Sequence, residues 1–193
     1  MAFEARLPVS DILTPAELAE VRRRSTWRGV WMIAHAWALI FAAIAVVAIF
    51  PNPLTFVLAV LVIGSRQLGL AILMHDGAHG CLAPDHDVNE LLSQWFCAFP
   101  VFAETRAYRR YHLKHHKRTQ QDDDPDLVLS APFPITAASY RRKFLRDLFG
   151  RTGYSQRKAQ LANALGDPAL PLAQRLATFR ERLGRQFLAN AVL

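Results

Sequence analysis

Val30 to Phe50 reads VWMIAHAWALIFAAIAVVAIF and contains no charged residue. As an α-helix it is roughly 31 Å long, enough to cross a hydrocarbon layer of ~30 Å. It starts too late and runs too long for a secretory signal peptide, and no A-x-A site follows it. A second run, Leu54 to Met74, opens LTFVLAVLVI, meets Gly64-Ser65-Arg66-Gln67 and resumes LGLAILM. Pro51-Asn52-Pro53 joins the two runs. The pattern predicts a tight transmembrane hairpin over residues 30–74, with spans 30–50 and 54–74, in an all-α integral membrane protein.

Composition narrows the rest. With 52% hydrophobic residues in 193, the chain is not intrinsically disordered. Eleven Pro and nine Gly show no repeating spacing, which excludes collagen-like and solenoid arrays. Cys81 and Cys97 make neither a disulfide framework nor a C-x-x-C pair. The balance of 23 Lys and Arg against 16 Asp and Glu gives +7, which suits anionic lipid, nucleic acid or an acidic protein. Arg22, Arg23, Arg24 and Arg28 precede the first span, and the turn is uncharged. Arg106, Arg109, Arg110, Lys114, Lys117 and Arg118 follow the second. The positive-inside rule therefore places both ends of the hairpin on the cytoplasmic side. Topology and lipid contact account for the basic excess, so nucleic acid is not expected as a partner.

Residues 1–29 form a polar cytoplasmic tail with a helix-start signal: Thr14 as cap, Pro15 next and Glu17 two further on. Leu91 to Ala103, LLSQWFCAFPVFA, is too short to span and is expected in the interface or under the cytoplasmic domain. Residues 75–186 form that cytoplasmic region. Within it, 104–118 is basic and 122–126 (DDDPD) acidic, and Leu172, Leu176, Phe179, Leu183 and Phe187 share one helical face. Residues 187–193 read as the start of a third span, truncated at its first turns.

The chemistry lies in the histidines. His75-Asp-Gly-Ala-His79 puts two rings on one helix face, with Cβ atoms about 5–6 Å apart. His112-Leu-Lys-His115-His116 puts three imidazoles within a ~100° arc. Imidazole suits iron, zinc, copper or nickel rather than magnesium or calcium. Five neutral donors can hold one metal fully or two partly. A zinc-protease H-E-x-x-H needs Glu where this chain has Asp76. Haem ligation needs opposed histidines at membrane depth, where His35 stands alone and reads as a hydrogen-bonded core residue.

The sequence H-D-x-x-H-G at the end of a hairpin, then Y-H-L-x-H-H and D-D-P-D-L, resembles the membrane-bound fatty acid desaturase family, in detail its bacterial members. The likeness runs from about Gly64 to Leu127. It implies a non-haem centre of two irons that activates O2 and removes hydrogen from an unactivated C–H of a lipid acyl chain. By the same resemblance, His75, His79, His112, His115 and His116 are the iron ligands. The family carries a third histidine box after a second hairpin, and no histidine follows His116. The expectation is an amino-terminal part of a desaturase-like oxidoreductase, with part of the coordination missing.

Asp76, Asp123 and Asp124 are candidates to hydrogen-bond the far nitrogens of the ligands, with a solvated turn as the alternative for the acidic cluster. Arg109, Arg110, Lys114 and Lys117 disfavour protonated histidine and offer a docking surface for an external electron donor of ferredoxin or cytochrome type. Arg66 and Gln67 interrupt the second span and are expected to pair with other helices, Arg66 on the side away from His75. Cys81 is expected to be packed. Carotenoid ketolase or hydroxylase and alkane hydroxylase chemistry share these motifs, so the substrate stays open. A non-catalytic, truncated metal-binding membrane protein is the other class.

Overall fold

The structure is a computed structural model that describes residues 8–192, so Met1–Leu7 of the tail and Leu193 at the end of the last apolar run lie outside the described residues. Among the described residues every regular element is helical. α1 (Pro15–Val21) starts as its sequence predicts. The Glu17 N–H donates to the Thr14 hydroxyl at 3.3 Å, and the Thr14 N–H donates to the Glu17 carboxylate at 2.8 Å. This reciprocal cap satisfies two donors that a helix start otherwise leaves open.

α2 (Thr26–Ile49) and α3 (Pro53–Ala78) form the hairpin. They are about 36 and 39 Å long, and both are long and apolar enough to cross a membrane. The turn is built by Asn52. Its side-chain oxygen accepts from the N–H groups of Leu54 and Thr55 at 3.0 and 3.1 Å, and its own N–H donates to the Thr55 hydroxyl at 3.2 Å. Pro53 takes the first helical position, where a missing N–H costs nothing. The seam between the helices uses Ile33, Ala36 and Ile40 from α2, spaced by three and four residues, while Gly29 lets α2 approach the Leu82 backbone beyond α3. Leu70, Leu73 and Met74 meet them from α3. Phe41, Ile44, Leu58, Leu61 and Leu68 stand exposed on the outer faces. The hairpin is thus apolar all round instead of along one stripe.

α4 (His86–Leu91) runs into a π-helical segment (Leu92–Ala98) and a 3₁₀ turn (Phe99–Val101). This apolar stretch is a wedge beneath the second box. Ser93, Cys97, Ala98 and Phe99 are fully buried, and the Trp37 indole of α2 donates to the Phe96 carbonyl at 3.0 Å. Gly77 permits the close approach: a methyl group there would lie 2.4 Å from Ser93 Cβ and Oγ. α5 (Thr105–Arg118) follows, capped by the Glu104 carboxylate, which accepts from Arg106 and Ala107 N–H at 3.3 and 2.7 Å.

α6 (Leu127–Ser130), α7 (Ala137–Leu148), α8 (Arg151–Leu165) and α9 (Leu172–Val192) complete the chain. α9 runs unbroken through Phe187, so the amphipathic stretch and the apolar run after it are one helix. Leu183, Gln186 and Ala189 form its buried face, while Leu172 and Leu176 are exposed. The Asn190 amide donates to the Phe99 carbonyl at 3.0 Å and ties α9 to the wedge.

Candidate metal centre

α3 carries His75 in its last turn and His79 at its cap. The chain then leaves through Gly80 at φ 71°, a left-handed turn that favours the glycine of H-D-x-x-H-G. α5 presents His112, His115 and His116 from its last two turns. The wedge couples the helices: Ser93 packs on Gly77, and its hydroxyl lies 2.7 Å from the Thr105 hydroxyl at the start of α5.

One ring nitrogen from each of His75, His79, His112 and His116 lies within 4.8 Å of the others. His112 Nε2 is 3.0 Å from His79 Nε2 and 2.9 Å from His116 Nε2. Imidazoles that share one ion at 2.0–2.1 Å place their nitrogens about 2.9–3.4 Å apart, so the His79–His112 and His112–His116 spacings fit a common cation. A neutral ring nitrogen offers either one lone pair or one N–H. Three of them converging cannot all satisfy one another, whereas a cation satisfies every lone pair. The donor set is imidazole with no carboxylate among the four, which suits iron or zinc and not calcium or magnesium. Both clusters also sit at helix carboxyl ends, where the partial negative charge favours a cation.

Burial and the charges of His75, His116, His79 and His115 push the His112 pKa down to about 4. Burial, then His75 and His116, lower that of His79 as well. Both rings are therefore held in the neutral form that binds metal. The Tyr108 ring stacks on His112 with centroids 5.0 Å apart and planes 14° from parallel.

His115 stands outside the four-ring group, its centroid 5.7 Å from that of His116. Its Nδ1 lies 2.8 Å from the buried Asp124 carboxylate, which also accepts from the N–H groups of Gln120 and Asp126 at 2.8 and 2.9 Å. Burial alone would raise the Asp124 pKa, but the bonds from His115, Asp126 and Gln120 outweigh it and lower the value. The Tyr111 hydroxyl donates to the Asp126 carboxylate and lies 3.0 Å from the Pro125 carbonyl, fixing the same loop. Asp76 lies 3.2 Å from His75 Nδ1. Asp123 contacts no histidine; it is exposed and pairs with Arg118 at 3.4 Å.

Two further expectations change. Cys81 is exposed, with its thiol 3.7 Å from the His79 carbonyl, and is not a packed residue. Arg109 is not free to dock a partner, because its guanidinium donates to the Ala78 carbonyl at 2.8 Å, to Gly77 at 3.0 Å and to Glu90. Arg110, Lys114 and Lys117 remain exposed. Arg66 shares a cleft between α2 and α3 with His35 and Asp76. Gln67 faces a cavity of about 1050 Å³ that α3 lines with the wedge, α8 and α9.

Glu90 and Asn89 were invisible as site residues in the sequence. Both are buried polar groups, and Asn89 donates to the Gly77 carbonyl at 2.9 Å and accepts from the Leu82 N–H at 3.1 Å. The available signal was an ionisable residue directly before the apolar Leu91-Leu92, in a segment that must pack.

The model of the fatty acid desaturase family matches residues 51–193, which takes in both histidine clusters. Dihydrorhizobitoxine desaturase of Bradyrhizobium elkanii is 35% identical over 113 residues, 58% of this chain and 32% of the relative. The chain thus spans about a third of the length of that curated relative. No solved structure matches the chain. The match extends from the hairpin turn through the α3 and α5 histidines to α9, and on that extent the chain belongs to the fatty acid desaturase family.

Proposed function

We propose that the chain is part of a membrane-bound, non-haem di-iron oxidoreductase of the desaturase type, which dehydrogenates acyl chains with O2 and electrons from an external ferredoxin- or cytochrome-type donor. The observation that carries this reading is the convergence of four imidazoles from two helices, with nitrogens 2.9 and 3.0 Å apart. His75, His79, His112 and His116 would hold one iron, and His115, outside that group, would be a donor for the second. Iron there supplies O2 activation and removal of hydrogen from an unactivated C–H.

The protein's own groups prepare the donors. An ionised carboxylate only accepts, so Asp124 fixes the His115 proton on Nδ1 and leaves Nε2 free for metal. Asp76 acts likewise on His75 Nδ1. Tyr108 restricts rotation of the His112 ring. The relative's name places its desaturation on dihydrorhizobitoxine, so the family name alone does not fix the substrate. An acyl chain is favoured by the apolar surroundings of the centre, Met74 and the wedge.

The same reading places α2 and α3 across the bilayer. Their exposed Phe41, Ile44, Leu58 and Leu61 suit lipid, and Arg22–Arg28 and Arg106–Arg118 put the histidines on the cytoplasmic side. The test is metal content. Iron should copurify with the detergent-solubilised chain and be lost in His79→Ala and His112→Ala, with helix content unchanged. Equal iron in all three preparations would overturn the assignment.

A further inference from the structure

Glu90 and Arg109 link the two histidine clusters without belonging to either. Arg109 lies one turn before His112 on α5. Its guanidinium reaches across to α3, donating from Nε to the Ala78 carbonyl at 2.8 Å and from Nη2 to the Gly77 carbonyl at 3.0 Å. Those are the two residues immediately before His79. Nη2 also bonds the Glu90 carboxylate, which accepts from Arg106 Nε at 3.1 Å as well. Glu90 is only 7% exposed and sits on α4, a third element, so the network joins α3, α4 and α5 at one point. Asn89 closes it from the other side through the Gly77 carbonyl and the Leu82 N–H.

We propose that Glu90 and Arg109 are the positioning pair of the metal centre, setting how the carboxyl end of α3 meets α5 so that His79 converges on His112. This rests on the metal reading above. Stability alone is a weak reason for such a pair, because well-packed apolar residues often replace a buried ion pair at no loss. A planar guanidinium fork offers instead a fixed direction and distance between two helices, which a point charge such as Lys does not reproduce. Gly77 and Ala78 are also the last residues of α3, where the regular helical ladder stops: the Gly77 carbonyl accepts only a tight turn bond from the Gly80 N–H at 3.0 Å besides its side-chain donors, and the Ala78 carbonyl is left to Arg109. The fork therefore grips the backbone nearest the His79 ring.

The test uses the full chain in detergent with cobalt(II) as the probe, since its d–d absorption reports the number and arrangement of donors. Glu90→Gln and Arg109→Lys should keep wild-type helix content by circular dichroism. Each should weaken cobalt affinity by about tenfold or more and shift the d–d bands, as changes to groups behind metal ligands do. Because the two act as one unit, the double variant should be no weaker than the worse single variant. Arg141→Lys, at an exposed position on α7, should leave affinity and spectrum unchanged. Wild-type affinity and spectrum in both single variants, or fully additive losses in the double variant, would overturn the positioning role while leaving the metal site standing. A wild-type chain that binds no cobalt would remove the metal reading itself, and this inference with it.

Discussion

A methyl group at position 77 would have to displace its neighbours. In Gly77→Ala the new carbon would lie 2.4 Å from Cβ and Oγ of Ser93 and 3.2 Å from Leu82 Cδ1. Carbon atoms in contact settle about 3.5–4.0 Å apart, so α3 and the wedge must separate by about 1 Å. Two effects compete. Alanine for glycine inside a helix gains about 0.8–1.0 kcal/mol of propensity, while overpacking a filled interior costs about 1–3 kcal/mol. Overpacking wins here, because Ser93 is fully buried and its hydroxyl is held by Thr105 at 2.7 Å. The net loss should be up to about 2 kcal/mol, read as a lower thermal midpoint by circular dichroism in detergent. The effect on metal should be larger. Ser93 transmits the displacement to the start of α5, and metal–ligand distances tolerate only roughly ±0.2 Å. Cobalt affinity should fall at least tenfold, and Ser93→Gly in the same chain, which removes both crowded atoms but also the bond to Thr105, should recover part of it. Gly153→Ala, which meets open space in α8, should leave metal binding unchanged. A Gly77→Ala chain with wild-type stability and affinity would refute the close packing of α3 on the wedge.

Asp124→Ala should lower metal affinity about 10–100-fold, whereas Asp123→Ala, on an exposed carboxylate paired only with Arg118, should not; equal effects would show that the loop is not organised around Asp124. A topology reporter at Asn52 should read as non-cytoplasmic and one at Glu104 as cytoplasmic, and two cytoplasmic readings would refute the spanning hairpin. Metal-free chain should lose stability on acidification from about pH 6.5 toward 4. Across that window the unfolded chain protonates His112 near the ordinary histidine value while the folded chain resists to about 4, so the unfolded state binds more protons. A melting midpoint that rises from pH 7 to pH 5 would contradict it.

What was legible in the sequence was whatever depends on local spacing. The hairpin, the Asn52 turn between two prolines, the Thr14 cap and the i,i+4 histidine pairs all follow from residues within a few positions of one another. The convergence of α3 on α5 does not, because it is set by Ser93, Glu90 and Arg109 acting across 12 to 32 positions. Asp123 and Asp124 are equivalent in sequence. Only the fold of residues 119–126, with Gln120 at positive φ, buries one carboxylate against His115 and leaves the other in the open. The stretch Leu91–Ala103 hid its role for a related reason. Its length ruled out a span, but a π-helical segment has no periodic signature that would separate a wedge from an interfacial helix.

On the proposed metal reading, the charge arrangement around the four rings accounts for carboxylates that stand behind histidines instead of joining the group. Two helix carboxyl ends meet there, and each brings partial negative charge. Arg109 covers the Gly77 and Ala78 carbonyls at one of them, so the remaining local charge is small. Neutral imidazoles add none. A cation held by such a set keeps most of its own positive charge, which is what polarising an oxygen ligand requires. A carboxylate inserted among the rings would partly neutralise that cation and favour harder ions such as magnesium or calcium. Asp124 and Asp76 lie instead at Nδ1 of His115 and His75, where, with the proposed cation bound, they would orient each ring and strengthen it as a donor from one ring-width away.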